Sequence, residues 1–268
     1  MSEATQAALD ARYTSVTVAL RQRLLGFVLQ AFSGLSSYRD EDATAFVEQI
    51  LPVVLGAQQQ MGALTDAYLS SMVGDMFGGA AATLGVQIPG AIRGVPPEEV
   101  YRRPFVTIWS ALAEGKSMTD AVRQGQNRLT SITGTDLQLV RTEATRQVLG
   151  GDDRVKFYRR VLRGSYNCAL CVIASTQRYH KEKLMPIHPG CDCGTRPLPA
   201  DQDPGQVLDP ELLEAAHDAV QAGTGKVDRG GRLPDYRDII IDRQHGELGP
   251  IMAIRRQDFT GPKDIPGR

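Results

Sequence analysis

Along the first two-thirds of the chain, apolar residues recur every three or four positions. Leu9, Tyr13, Val16, Leu20, Leu24 and Val28 form one stripe, which predicts a long amphipathic helix. "SGLSSYRDED" breaks it, and Asp40 or Asp42 is placed to cap a second helix carrying Phe46, Val47, Ile50, Leu51, Val54 and Leu55. Pro52 lies inside that pattern and predicts a kink or a new start. A third stretch runs from Gly62 to Met76 and loosens at "FGGAAATLG". "IPGAIRGVPPEE" reads as a loop from its Pro and Gly content. The helical pattern resumes at "RPFVTIWSALAEG". Ser117, with Asp120 three residues on, gives a capping-box-like start to the next helix, and Thr135 is placed to cap one more that stops at Gly150. No period suggests a solenoid.

After Gly151 the pattern changes. "RVKFYRRVLRG" alternates in the manner of a strand. A cysteine-bearing segment follows, then the Pro-rich exit "TRPLPADQDPG" and the short acidic helix "DPELLEAAHDAVQAG". "TGKVDRGGRLPDYRD" reads as a linker, and the chain ends with two short β-like pieces that have little to build a core from. The expected fold is a predominantly α-helical α+β protein: a helical region over 1–150, a small α+β module over 151–198, and a linker, short helix and extended tail over 199–268.

Composition narrows the function classes. A hydrophobic content of 42% is ample for a core, and 6% aromatic residues suit helix packing better than a β-sandwich. A net charge of -1 predicts no global attraction to nucleic acid or membranes. The N-terminal stretch has no basic segment leading into an apolar one, and no run approaches the roughly 18 apolar residues of a membrane span. The expected setting is a cytoplasm, where reduced cysteines favour a metal site over disulfides.

All four cysteines fall within "NCALCVIASTQRYHKEKLMPIHPGCDC", residues 167–193. Cys168 and Cys171 form one two-residue-gap knuckle, His188 and Cys191 form a second, and Cys193 is a fifth candidate ligand. Such gaps let two side chains converge on one ion from a tight turn, and two knuckles supply the four ligands of tetrahedral zinc. Pro189 and Gly190 suit a sharp turn, and Arg160, Arg163, Lys181 and Lys183 would favour thiolates. Five candidates compete for four places, and a strained C-x-C turn argues for dropping Cys191 or Cys193. Two disulfides, or packed free thiols, are the alternatives to a metal.

Catalytic readings fare less well. "HKE" at His180 to Glu182 has the H-x-E of zinc deaminases, but here the C-x-x-C precedes it. Ser175 with His180 or His188 offers a serine-protease pairing without a local signature. An open zinc hydrolase site is disfavoured by the surplus of ligands. "GTGK" at 223–226 lacks the first Gly of a P-loop and has Val227 in place of Ser or Thr.

On the helix "LQLVRTEATRQVL", Leu137, Val140 and Val148 are expected in the core. Arg141, Thr142 and Glu143 are polar at mid-helix, and Arg141 and Arg146 can reach Glu143 or a phosphate. They form either a solvated face with weak ion pairs or a contact with the module that follows. "VRTEATRQ", then "CALC", then "HPGCDC" resembles the Mu protein F-like head-morphogenesis family of tailed bacteriophages, over residues 105–198. The matching positions are Arg141, Thr142 and Glu143; Cys168 and Cys171; and His188, Pro189, Cys191 and Cys193. Val140 stands where that family has Ala, and Asp192 where it has Arg.

The resemblance implies a minor capsid protein that acts structurally in procapsid assembly, with the portal protein and major capsid protein as partners. Its place would be the capsid interior of the virion, after assembly in the bacterial host cytoplasm. A capsid maturation protease, as related actinobacteriophage proteins are often labelled, is the alternative; a DNA-binding accessory head protein is another. For the last, residues 152–196 carry nine Lys or Arg against four acids, a docking face for packaged DNA or an acidic partner.

Overall fold

The computed structural model describes residues 3–79, 82–163, 169–187, 191, 193–201, 203–224, 240–245 and 249–254. The fold is predominantly α-helical α+β. Four long helices come first: α1 (Glu3–Ser33), α2 (Asp40–Phe77), α3 (Pro97–Ala113) and α4 (Met118–Gly150). Then follow β1 (Val155–Val161), α5 (Ala169–Ser175), β2 (Arg178–His180), a 3-10 turn at Lys181–Lys183, β3 (Gly194–Pro199), α6 (Pro210–Thr224), β4 (Ile240–His245) and β5 (Gly249–Ile254). The chain divides into two compact units. One comprises Ser2–Asp66 and Gly85–Ala144; the other comprises Ala67–Leu84 and the chain from Thr145 onward.

The helical unit is built on the expected stripes. Leu20, Leu24 and Val28 of α1 pack with Phe46, Val47, Ile50 and Val54 of α2, Tyr101, Phe105 and Ile108 of α3, and Leu129, Ile132 and Val140 of α4. Asp120 N–H donates to Ser117 Oγ at 3.1 Å, the cap that the sequence predicts for α4.

Two expected breaks are absent. α2 runs unbroken past Pro52 and Gly62, so the second and third predicted helices are one. Pro52 is exposed, which leaves water to replace the missing backbone bond. Gly62 serves packing: a Cβ there would lie 2.5 Å from Ile88 Cγ1. α4 likewise passes through Gly134 and Thr135, and Thr135 is buried within the helix. A Cβ on Gly134 would stand 3.1 Å from the Arg21 guanidinium. Next to it, Asp136 accepts from Arg93 Nε at 2.5 Å, Tyr101 Oη at 2.9 Å and Gln58 Nε2 at 3.4 Å. Buried charge is tolerated when it is paired and hydrogen-bonded in this way.

In the other unit, β1 is the centre of an antiparallel sheet ordered β2-β1-β3. The Pro-rich exit is strand β3. Its Pro197 and Pro199 are tolerated because β3 is an edge strand, with one side free of ladder bonds. α6 begins as expected, with Asp209 Oδ1 accepting from Leu212 N–H at 2.9 Å. The two β-like pieces of the tail are β4 and β5, an antiparallel pair. The linker predicted after α6 lies outside the described residues from Gly225 to residue 238. Among the described residues no helix is long and apolar enough to cross a membrane.

Candidate metal centre

Three of the five predicted ligands come together. Cys171 sits on α5, while Cys191 and Cys193 lie on the segment that enters β3. The pairing of Val161 with Gly194 and Arg160 with Thr195 fixes where that segment arrives beside β1. The Cys171–Cys191 and Cys171–Cys193 Sγ separations are both 3.4 Å, and all three sulfurs lie within 4.8 Å of one another. Each residue is 3–4% exposed. Cys193 N–H also points at Cys191 Sγ, 3.4 Å away. Leu170, Ala174 and Ile187 complete the buried cluster, with Leu162 and Tyr179 against it.

These distances suit a shared ion. Zinc–sulfur bonds of about 2.3 Å in a tetrahedron put neighbouring sulfurs about 3.8 Å apart. A disulfide requires about 2.05 Å, and none of the three cysteines is in one. The cluster can therefore hold a metal ion. Both members of the C-x-C pair contribute a sulfur to it, although the sequence argues for dropping one. Cys168 and His188 lie outside the described residues.

Arg160 supplies positive charge beside the sulfurs. It is 5% exposed, donates to the Met185 carbonyl, and lies over the Tyr158 ring at 5.5 Å. Burial discourages its charge, but Tyr158, Cys193, Cys191 and Tyr179 together hold its pKa above the usual guanidinium value. Burial also pushes the Tyr179 phenol well up, with Arg160 opposing. Two of the other cations predicted near the thiols have identified partners, and the Arg163 guanidinium lies against Gly194, beside Cys193. Arg163 donates to Tyr68 Oη at 2.9 Å, and Lys181 donates to the Asp152 carbonyl at 3.0 Å.

The segment at Lys183 and Leu184, where the 3-10 turn ends, is pinned by donors that the sequence does not single out for this task. Tyr158 Oη donates to the Lys183 carbonyl at 3.3 Å, and Arg146 Nε donates to the Leu184 carbonyl at 2.9 Å. Arg146, for which the sequence suggests Glu143 or a phosphate, thus also engages backbone. Of the motif helix, Thr142 is buried and donates to the Gln138 carbonyl at 3.0 Å, while Arg141 and Glu143 are half-buried. Nothing in the sequence distance between residues 146 and 184 signals their contact.

Ser175, the last residue of α5, is 4% exposed and donates to the Val172 carbonyl at 2.7 Å. His180, on β2, packs edge-on against Phe157 with ring centroids 5.6 Å apart, and its Nδ1 lies 3.7 Å from Glu182. Their hydrogen bonds and ring contacts are thus with other groups.

Fold and site together define a predominantly helical α+β protein with a buried three-thiol cluster. The chain matches no protein-family model, no curated protein and no solved structure.

Proposed function

We propose that the protein is a minor capsid protein of a tailed bacteriophage, acting structurally in head assembly at or near the portal, with its cysteine module stapled by one zinc ion. The observation that carries the staple is the convergence of Cys171, Cys191 and Cys193, from two separate motif halves, into one buried cluster. Cys168 or His188 supplies the fourth ligand. A closed set of four leaves no open position for water, so the ion acts as a cross-link between α5 and the start of β3 rather than as a Lewis acid. The head-assembly role is supported by the resemblance of "VRTEATRQ", "CALC" and "HPGCDC" to the Mu protein F-like pattern. On this reading the portal and major capsid proteins are the partners.

Elemental analysis with thiol titration tests the staple. One zinc per chain, with thiols silent until a chelator is added, is the expected result; four freely titrating thiols in metal-replete protein would refute it. The assembly role predicts that the protein co-purifies with procapsids. It also predicts that Ser175→Ala leaves the major capsid protein normally processed, whereas unprocessed capsid protein would establish the protease reading instead.

A further inference from the structure

Residues directly opposite each other on neighbouring strands project to the same face of a sheet. Arg159 of β1 is opposite Arg178 of β2 on one side and Arg196 of β3 on the other. One row across the sheet therefore carries three guanidinium groups. Strand spacings of about 4.8 Å put the three backbones within about 10 Å. Side chains alternate along a strand, so Tyr158 and Arg160, with Tyr179 opposite Tyr158, belong to the other face, the one bearing on the thiols. The row is distinct from the candidate metal centre.

Like charges placed directly opposite destabilise a sheet. One end of this row is compensated: Asp203 grips Arg178 at distances of 2.5 Å and 2.7 Å, and the Arg178 guanidinium lies 3.9 Å over the Phe157 ring. The middle is not. Among the described residues no acid pairs with Arg159, and its Nε is buried without a hydrogen-bond partner. The surrounding segment, residues 152–196, has five more basic than acidic residues in a chain whose net charge is -1.

We propose that the Arg178–Arg159–Arg196 row docks the phosphodiester backbone of nucleic acid. A guanidinium fork takes two phosphate oxygens at once, with a stronger hydrogen bond than a neutral donor makes. A single carboxylate satisfies one arginine, as Asp203 does for Arg178. A row of cations calls for a row of anions, and duplex DNA presents one charge per about 1.7 Å of axis. The inference rests on strand register and charge alone, independently of zinc and of the head-assembly reading.

The test is a titration of the full chain with a labelled random-sequence DNA duplex, followed by fluorescence anisotropy over a range of salt concentrations. The wild type should bind with affinity that falls steeply with salt. Arg159→Gln with Arg196→Gln should weaken binding on every sequence and reduce the salt slope by about 0.9 for each phosphate that is no longer neutralised. Lys116→Gln, between α3 and α4 and outside the basic segment, should leave that slope unchanged. No binding by the wild type, or an unchanged slope in the double Gln variant, would overturn the proposal. So would binding to polyglutamate as tight as to DNA with the same weakening on mutation, which would indicate an acidic protein partner. Circular dichroism checks that the variants are folded. Should the Gln pair unfold, Arg159→Lys with Arg196→Lys keeps the charge but removes the forks. That pair should weaken binding at unchanged slope, and equal affinity would count against the row.

Discussion

In the helical unit, Phe32 meets Phe46 and Phe105 with ring centroids 5.4 Å apart in both cases, and Phe46 meets Phe105 at 5.5 Å. Around the thiols of the other unit, the described buried cluster is Leu170, Ala174 and Ile187 with three cysteines. The first arrangement draws its stability from large apolar side chains packed face to edge, which repeat along helices. The second has little apolar volume to bury and relies on sulfur, on buried Arg160 and on side chains that hold backbone carbonyls. The same unit also packs Val73, Leu149, Val155, Tyr158 and Leu184 in one cluster and Ile173, Leu213 and Ala216 in another, so a cross-link matters most where the thiols themselves meet. Four measurements can break this contrast or sharpen it.

The largest effect should come from removing the ion. Structural zinc sites in small domains contribute on the order of 10 kcal/mol or more. Chelation, or Cys171→Ser, should therefore abolish the folding of the cysteine-bearing unit while the helical unit keeps its own thermal transition. Calorimetry showing one unchanged transition after chelation would remove the basis of the comparison.

Next is Phe105→Ala. It empties the centre of the aromatic cluster and should cost about 3–5 kcal/mol by denaturant melting. The metal content of the other unit should not change. A destabilisation below about 1 kcal/mol would mean that the helical core is not organised around these rings.

Gly125→Ala tests whether the helix glycines serve packing. In an exposed helix, Ala would stabilise by about 1 kcal/mol. Here the new Cβ would meet Ile108 Cγ1 at 2.8 Å and the Pro104 carbonyl oxygen at 3.1 Å. A net cost of about 1–3 kcal/mol is expected from overpacking, and a more stable variant would contradict the close approach.

The smallest effect is in pH dependence, and the two units should respond with opposite sign. Burial raises the Asp136 pKa, with Arg93 opposing. As pH falls from that raised value to the unfolded value of about 3.9, the native helical unit takes up a proton that the unfolded chain does not, and gains stability. Asp152 is held low, first by its side-chain hydrogen bond to Arg154. Its contribution is complete above about 3.9 and is lost as pH falls through the lower folded value. Asp152 is half-buried but its partner Arg154 is exposed to solvent, so its share is below about 1 kcal/mol. Denaturant midpoints followed from neutral to acidic pH should show both trends. Asp136→Asn should remove the first and Asp152→Asn the second.

Much of this protein was legible from local sequence. The apolar stripes of α1 and α2, the Ser117 and Asp209 caps, the strand at Val155–Val161 and the grouping of the cysteines are all short-range features. Periodicity, a capping oxygen and ligand spacing act within a few residues, so they can be read without the rest of the chain. Tertiary structure decided the remainder. Gly62 looks like a helix start in isolation, but it is a point where Ile88 comes in too close for a Cβ, and Thr135 looks like a cap but is buried within α4. Prolines that suggest a loop form strand β3 because an edge position asks less of its backbone. Which thiols converge, which carbonyl Arg146 holds, and that Arg159 stands between Arg178 and Arg196 all depend on register and packing between segments far apart in the chain. No local pattern encodes those distances. They are set by the pairing of the strands and the packing of α5 against β1.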